Sequence, residues 1–398
     1  MPDHPRILDA DRHVIEPIEM WRRYLPPDYR DGAPTLQAIP PDGELARALR
    51  AKAPPGFRMP AILMLDGKPV WAKVSERALL DIGRTLAERP SSLARGATPH
   101  GHTTSMDDAG IDVAFLYPSF ASYLVAIDDM AADRAAAFAR AYNDWLAEFC
   151  RAGGPRLRPV AIISRHDPAT MVDELARVIE LGFRAVVLRP NPIKGRTLGH
   201  PDLEPFYAAC ERASIAVGIH DGTHARVPTA GADRFDSHFA LHACSHPMEQ
   251  MMAFLALLEG GVLERHPALR IGLLEAGCGW VPYWLCRLDE LAYKYLGGEV
   301  AEHVRREPSA YFRRQCFVTM DPFEGRYIAD LIAHVGADRV LFSTDFPHPD
   351  HDADLVPQMR ALAPSLGEPA LRSILWDNAA RFYGLDADDA SDQNVVNG

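Results

Sequence analysis

Between residues 159 and 220 the chain reads PVAIIS (159–164), MVDELARVIEL (171–181), AVVLR (185–189) and IAVGIH (215–220), and this stretch decides the fold. The first, third and fourth pieces are short runs of Val, Ile, Leu and Ala that end on a polar residue, as strands of a buried parallel sheet do. The second carries its apolar residues at helical spacing, so the stretch alternates strand and helix. Outward from it, the same kind of apolar run recurs at 7–11, 113–117, 271–275, 316–320 and 340–345, with helical patterns at 131–150, 248–257 and 327–335. Eight strands alternating with helices predict an α/β protein, a (β/α)8 TIM barrel. A doubly wound open sheet would place a Gly-rich phosphate turn after an early strand, and none follows Asp11.

The barrel accounts for residues 1–385 as one domain. Residues 18–105 do not fit a single strand-to-helix step: they carry PPDYRDGAP, IPPDG and APPGFRMP and are too long for a structureless loop. They read as a lid-like insertion after strand one that folds over the barrel mouth. The end, ADDASDQNVVNG at 387–398, is acidic and polar and reads as part of a flexible tail from 386 onward.

Composition narrows the function. The 398 residues are 47% hydrophobic and 24% charged, ordinary for a folded enzyme, and Lys plus Arg number 42 against 54 Asp plus Glu. A net charge of −12 without a basic cluster argues against a nucleic-acid partner. No stretch approaches the ~18 apolar residues of a spanning helix, and MPDHPRILDADRH at 1–13 lacks a charged segment followed by an apolar one, so a cytoplasmic protein without membrane contact is expected. The six cysteines form no CxxC pair, which leaves neither a disulfide framework nor a thiolate zinc site.

In such a barrel the chemistry sits where the strands end, and these runs end in Asp11-Arg12-His13, Arg189, His220, Glu275 and Ser343-Thr344-Asp345. Asp11 and His13 are two apart, so on an extended strand they share a side and face the axis. With His220 and Asp345 they make two imidazoles and two carboxylates, a donor set for one divalent ion, Zn²⁺ first and Fe²⁺ or Mn²⁺ after it. Each residue also has a bland reading, a strand-end His that only packs or an Asp that only caps, but that reading must hold four times over. Glu275 is a further metal-site carboxylate, a general base or a structural acceptor. Arg189 forks onto a substrate carboxylate or onto an internal Asp or Glu. His348 follows the strand-eight ligand closely enough to support it. One of His224, His238, His242 and His246 lines the pocket, and the Trp280, Tyr283 and Trp284 group reads as core.

Four motifs carry a family resemblance: DRHVIEP at 11–17, AVVLRPNP at 185–192, LEAGCGWVPYW at 274–284 and FSTDFPHP at 342–349. Together they resemble the amidohydrolase-related metalloenzymes that include aminocarboxymuconate semialdehyde decarboxylase. The resemblance implies a metal-dependent TIM barrel with Asp11, His13, His220 and Asp345 as ligands. Two positions differ from the family pattern. Arg189 stands where two-metal members carry a carboxylated Lys, which argues against a Lys-bridged ion pair. Glu275-Ala276-Gly277-Cys278-Gly279 stands where the decarboxylases carry a strand-six His in an HGGG-like run.

The expected function is therefore hydrolysis of an amide, ester or thioester of a small organic substrate, with Asp345 taking and returning a proton at metal-activated water. The alternative is nonoxidative decarboxylation of an unsaturated or aromatic acid. A noncatalytic binding barrel is the third reading, and it leaves the four donors without a reason. The partners this allows are a small-molecule substrate, carboxylate-bearing if Arg189 holds it, and further copies of the same chain.

Overall fold

The structure is a computed structural model that describes residues 6–39, 42–43, 46–47, 50–51, 61–71, 78–80, 92–220, 225–348 and 354–385. The eight expected strands are all present, as β1 (Leu8–His13), β5 (Val113–Tyr117), β6 (Leu157–Ile162), β7 (Ala185–Leu188), β8 (Ala216–Ile219), β9 (Ile271–Leu273), β10 (Cys316–Met320) and β11 (Val340–Phe342). They lie in that order and each pairs in parallel with the next, which makes the sheet a (β/α)8 barrel. The seam between β11 and β1 is closed at the strand ends, where the Asp345 N–H donates to the Asp11 carbonyl (3.0 Å) and the His13 N–H to the Phe346 carbonyl (2.7 Å). Closure thus sets Asp345 beside Asp11 and His13.

Helices that pack outside the barrel include α1 (Ile18–Tyr24), α2 (Pro99–Ala109), α3 (Phe120–Val125), α4 (Ala132–Gly153), α5 (Met171–Glu180), α6 (Glu204–Arg212) and α7 (His238–Glu259). The helical pattern expected from 248 starts at His238 instead. Ser237 caps that helix by accepting the Ala240 N–H, and Pro247, which looks like a helix start, sits inside it at the cost of one hydrogen bond. The earlier start places His242 and His246 on α7.

Strand β1 also differs from expectation, running through His13 rather than stopping at Asp11, with a break in its pairing register between Asp9 and Arg12. An extra residue in a strand changes which residues share a side. Asp9 and Arg12, three apart, thereby meet on the helix side of the sheet, while Asp11 and His13 meet toward the axis. Beneath the strand ends the interior is filled by aromatics: Phe115 stacks on Tyr383 at 3.4 Å, the Tyr117 and Tyr383 hydroxyls are 2.8 Å apart, and Tyr117 stacks under His220 at 5.0 Å.

The described part of 18–105 contains α1 and an antiparallel sheet of β2 (Thr35–Ala38), β3 (Ala61–Leu65) and β4 (Lys68–Pro69). Trp71 bridges to Ala225, in the segment after β8, and packs edge-on against Tyr123 of α3. APPGFRMP at 53–60 lies outside the described residues, as do His224 and the tail from 386. No helix among the described residues is long and apolar enough to cross a membrane.

Candidate metal centre

Five side chains from four strand ends, those of β1, β8, β9 and β11, converge on the barrel axis. His13 Nε2 lies 3.1 Å from His220 Nε2, 3.1 Å from Asp345 Oδ1, 3.5 Å from Asp11 Oδ1 and 3.7 Å from Glu275 Oε2. His220 Nε2 lies 3.1 Å from Asp11 Oδ1 and 3.0 Å from Glu275 Oε2. The structure thus brings Asp11, His13, His220, Glu275 and Asp345 together. Asp11, His13, His220 and Asp345 are all at most 3% exposed.

Local structure aims each donor. The Pro118 carbonyl can only accept, so His13 Nδ1 (2.9 Å away) donates and Nε2 faces the cluster. The His220 N–H donates to the Leu188 carbonyl at the β7–β8 rung. Glu275 and Asp345 both take positive φ, 55° and 49°, a conformation that non-glycine residues hold only where their surroundings fix it and that recurs at functional sites. For Glu275 the fixing element is the following turn: Glu324 accepts the Cys278 and Gly279 N–H groups (2.8–2.9 Å), and a Cβ on Gly277 (φ +63°) would stand 2.5 Å from the Glu324 carboxylate. The EAGCG run is therefore a turn shaped by Glu324, and glycine is required within it.

The electrostatics call for a cation. Burial alone would depress the His220 imidazole, but Asp11 and Glu275 outweigh it and hold it well above its ordinary value. Burial and Asp345 push Glu275 up, and His220 and His246 bring it well below the ordinary carboxylate range. Three carboxylates facing two imidazoles, even with His220 drawn toward its protonated form, leave an excess of negative charge, which such an interior tolerates only with a cation or further protons. Donors 3.0–3.7 Å apart match ligands held about 2.0–2.2 Å from a single ion. The residues therefore fit a divalent metal.

His348 stacks on His13 at 4.1 Å, with its Nδ1 2.8 Å from Asp345 Oδ1 and its Nε2 3.0 Å from Ser119 Oγ. Sequence reasoning missed Ser119 and Glu16. The latter is fully buried and accepts the N–H groups of Ser119, Phe120 and Ala121, which pins the start of α3. His246 comes from α7 to within 3.5 Å of Glu275 Oε1. His242 and His238 lie successively toward the N-terminus of that helix, with ring centroids 4.7 Å (His246 to His242) and 6.1 Å (His242 to His238) apart. Trp280 is buried, Trp284 is half-buried and donates to the Met251 carbonyl, and Tyr283 is exposed, so the third member of that group is not core. Arg189 ends β7 beside His220, since Leu188 is in register with Ile219, and its guanidinium lies 5.5 Å over the Tyr123 ring, outside the five-donor cluster.

A family model described as amidohydrolase matches residues 90–385, and the chain belongs to that family. The gamma-resorcylate decarboxylase of Rhodococcus jostii is 30% identical over 269 residues, which is 64% of this chain and 78% of that enzyme. The 2-amino-3-carboxymuconate-6-semialdehyde decarboxylase of Dictyostelium discoideum is 25% identical over 282 residues, 70% of this chain and 74% of that enzyme. Among solved structures, an amidohydrolase of Mycobacterium avium subsp. paratuberculosis superposes with TM-score 0.73 at 22% identity, covering 96% of this chain and 99% of its own. A dihydroxybenzoic acid decarboxylase of Polaromonas, holding manganese and the inhibitor 2-nitroresorcinol, gives 0.61 at 23% identity, covering 75% and 90%. Each of these last two shows the shared fold.

These relatives overturn the expectation of hydrolysis, because the enzymes similar to this chain in sequence are decarboxylases. The argument against decarboxylation rested on the missing strand-six His. In the structure, Glu275 occupies that strand end and an imidazole reaches it from another element, His246 of α7.

Proposed function

We propose that the protein is a metal-dependent, nonoxidative decarboxylase of an aromatic acid bearing a hydroxyl beside its carboxylate. The observation that carries this reading is the convergence of two imidazoles and three carboxylates in a buried strand-end cluster of a chain similar to such decarboxylases. Asp11, His13, His220 and Asp345 hold the ion, with Glu275 as a fifth donor. Carboxylate-rich donors suit manganese, which the Polaromonas structure contains, in place of the zinc expected from the ligand types. Such an ion, when bound, supplies a positive charge that fixes the substrate's carboxylate and adjacent oxygen and stabilises negative charge.

The chain's own groups supply the proton. Asp345 carries it, held between His13 and His348 (3.1 and 2.8 Å), and delivers it to the ring carbon that bears the carboxylate. The bond from that carbon to the carboxylate then breaks, its electron pair restores the ring, and CO₂ leaves. Each turnover consumes one proton, which returns to Asp345 through His348 and its contact with Ser119. The buried setting of the cluster keeps bulk water from competing for the ring carbon. Glu275 faces His246 with one carboxylate oxygen and the ligand cluster with the other.

The test is to load the protein with manganese and offer 2,6-dihydroxybenzoate and related hydroxybenzoates beside a panel of amides, esters and thioesters, measuring CO₂ and acid release. CO₂ from the hydroxybenzoates with no hydrolysis supports the assignment. Turnover of the ester or amide panel without CO₂ release contradicts it.

A further inference from the structure

Between α3 and the ends of β6 and β7 lies a cavity lined by two buried guanidiniums, Arg165 and Arg189, together with Ser122, Val125, Ile162 and Val187. Its volume is about 30 Å³. At about 10–15 Å³ for each water-sized group, that is room for the two oxygens of a carboxylate and not for a ring. Arg165 is 4% exposed; its Nη2 donates to the Asn191 carbonyl, and its Nη1 is buried with no hydrogen-bond partner. Burial draws this guanidinium down to about 10, Arg189 and Arg196 add to the effect, and Tyr207 and Asp128 only partly oppose it. A buried cation with an unmet N–H is costly unless an anion completes it.

The cavity is lined by residues of elements that neighbour the metal centre. Arg189 and His220 each follow the last rung of the β7–β8 pair, Leu188 and Ile219, where paired backbones run about 4.8 Å apart. At the other wall, α3 carries Ser122 and Val125 on the cavity and begins just after Ser119, which touches His348.

We infer that this cavity is an anion subsite that receives a second carboxylate of the substrate, so that the acid decarboxylated at the metal centre is an aromatic dicarboxylate. The inference rests on the decarboxylase reading for its substrate class. The scissile carboxylate lies at the five-donor cluster and the retained one between Arg165 and Arg189, where a planar fork can grip both oxygens.

Calorimetric binding of 2-hydroxybenzoate and of 2-hydroxybenzene-1,4-dicarboxylate to the manganese-loaded protein tests it, with CO₂ release from each acid recorded in parallel. The dicarboxylate should bind about tenfold more tightly or better, the gain from a charge-assisted contact. In Arg165→Gln that preference should vanish, while metal content and the monocarboxylate Kd stay within about twofold of the parent. Arg189→Gln serves as the second variant should Arg165→Gln fail to fold. Equal affinity of the two acids for the parent, or a preference that persists in the folded variants, overturns the subsite. CO₂ release from neither acid, with an Arg165-dependent preference intact, removes decarboxylation and leaves the subsite standing. Absence of binding by either acid overturns both.

Discussion

Strand β1 feeds two buried polar clusters that differ in one respect. On its helix side, Arg12 is fully enclosed and donates to Asp9 (3.3 Å), to Thr344, to His102 Nδ1 (3.1 Å) and to Ser105, while Thr344 donates its backbone N–H to Asp9 (2.9 Å). One carboxylate meets one guanidinium, and the charge cancels. On its axis side, Asp11 and His13 join His220, Glu275 and Asp345, three carboxylates with two imidazoles. The first network is complete in itself and holds the seam between β1 and β11. The second holds more carboxylates than imidazoles, and that excess is the reason an ion is proposed there.

The largest effects should separate the two sides by kind. Asp345→Asn keeps the size of the side chain and removes its proton chemistry, so the variant should fold, bind metal more weakly and lose about 10²–10⁴-fold in kcat. Steady-state CO₂ release on metal-replete protein checks this, and kcat near the parent's would move the proton to Glu275 or His348. On the helix side, Arg12→Met should leave the buried Asp9 carboxylate alone and cost about 3–5 kcal/mol of stability. Denaturant melts in the presence and absence of manganese should show that loss equally, since the network does not touch the ion. A loss that manganese cures would merge the two clusters into one.

A smaller effect comes from acid. Burial, with Arg12 adding to it, lowers His102 to about 3, whereas an unfolded His titrates near 6.5. Between these values the unfolded chain binds one more proton than the folded one, so stability falls as pH drops from about 6.5 toward 3, by about 1.4 kcal/mol per unit. His102→Asn should flatten that window of the melting-versus-pH curve even in metal-free protein. An unchanged slope would mean that His102 takes up a proton in the fold and the network is looser than its distances imply.

Much of the axis side was legible in the sequence because its signals are local. Eight apolar runs ending on polar residues announce the barrel, and the two-residue spacing of Asp11 and His13 needs only the alternation of a strand. The helix-side network was not legible, because the register break between Asp9 and Arg12 defeats simple alternation. His246 was one of four equivalent histidines until α7 was seen to start before Pro247, and Glu16 looked like any acidic residue before a proline. Both act across long sequence separations that no pattern in the chain announces. The expectation of hydrolysis leaned on the same local reading, the absence of an imidazole on strand six itself, whereas His246 of α7 reaches Glu275 from another element.

The most direct test of the contrast between the two sides is metal stoichiometry in two variants of neighbouring β1 residues. Elemental analysis after manganese loading and dialysis should give one ion per chain for the parent and for folded Arg12→Lys, and almost none for folded His13→Ala. Manganese at about 1,000 times Kd should also raise the parent's stability by about 4 kcal/mol and leave that of His13→Ala unchanged. A His13→Ala protein that keeps its full ion content, or a parent that binds none, would contradict the account.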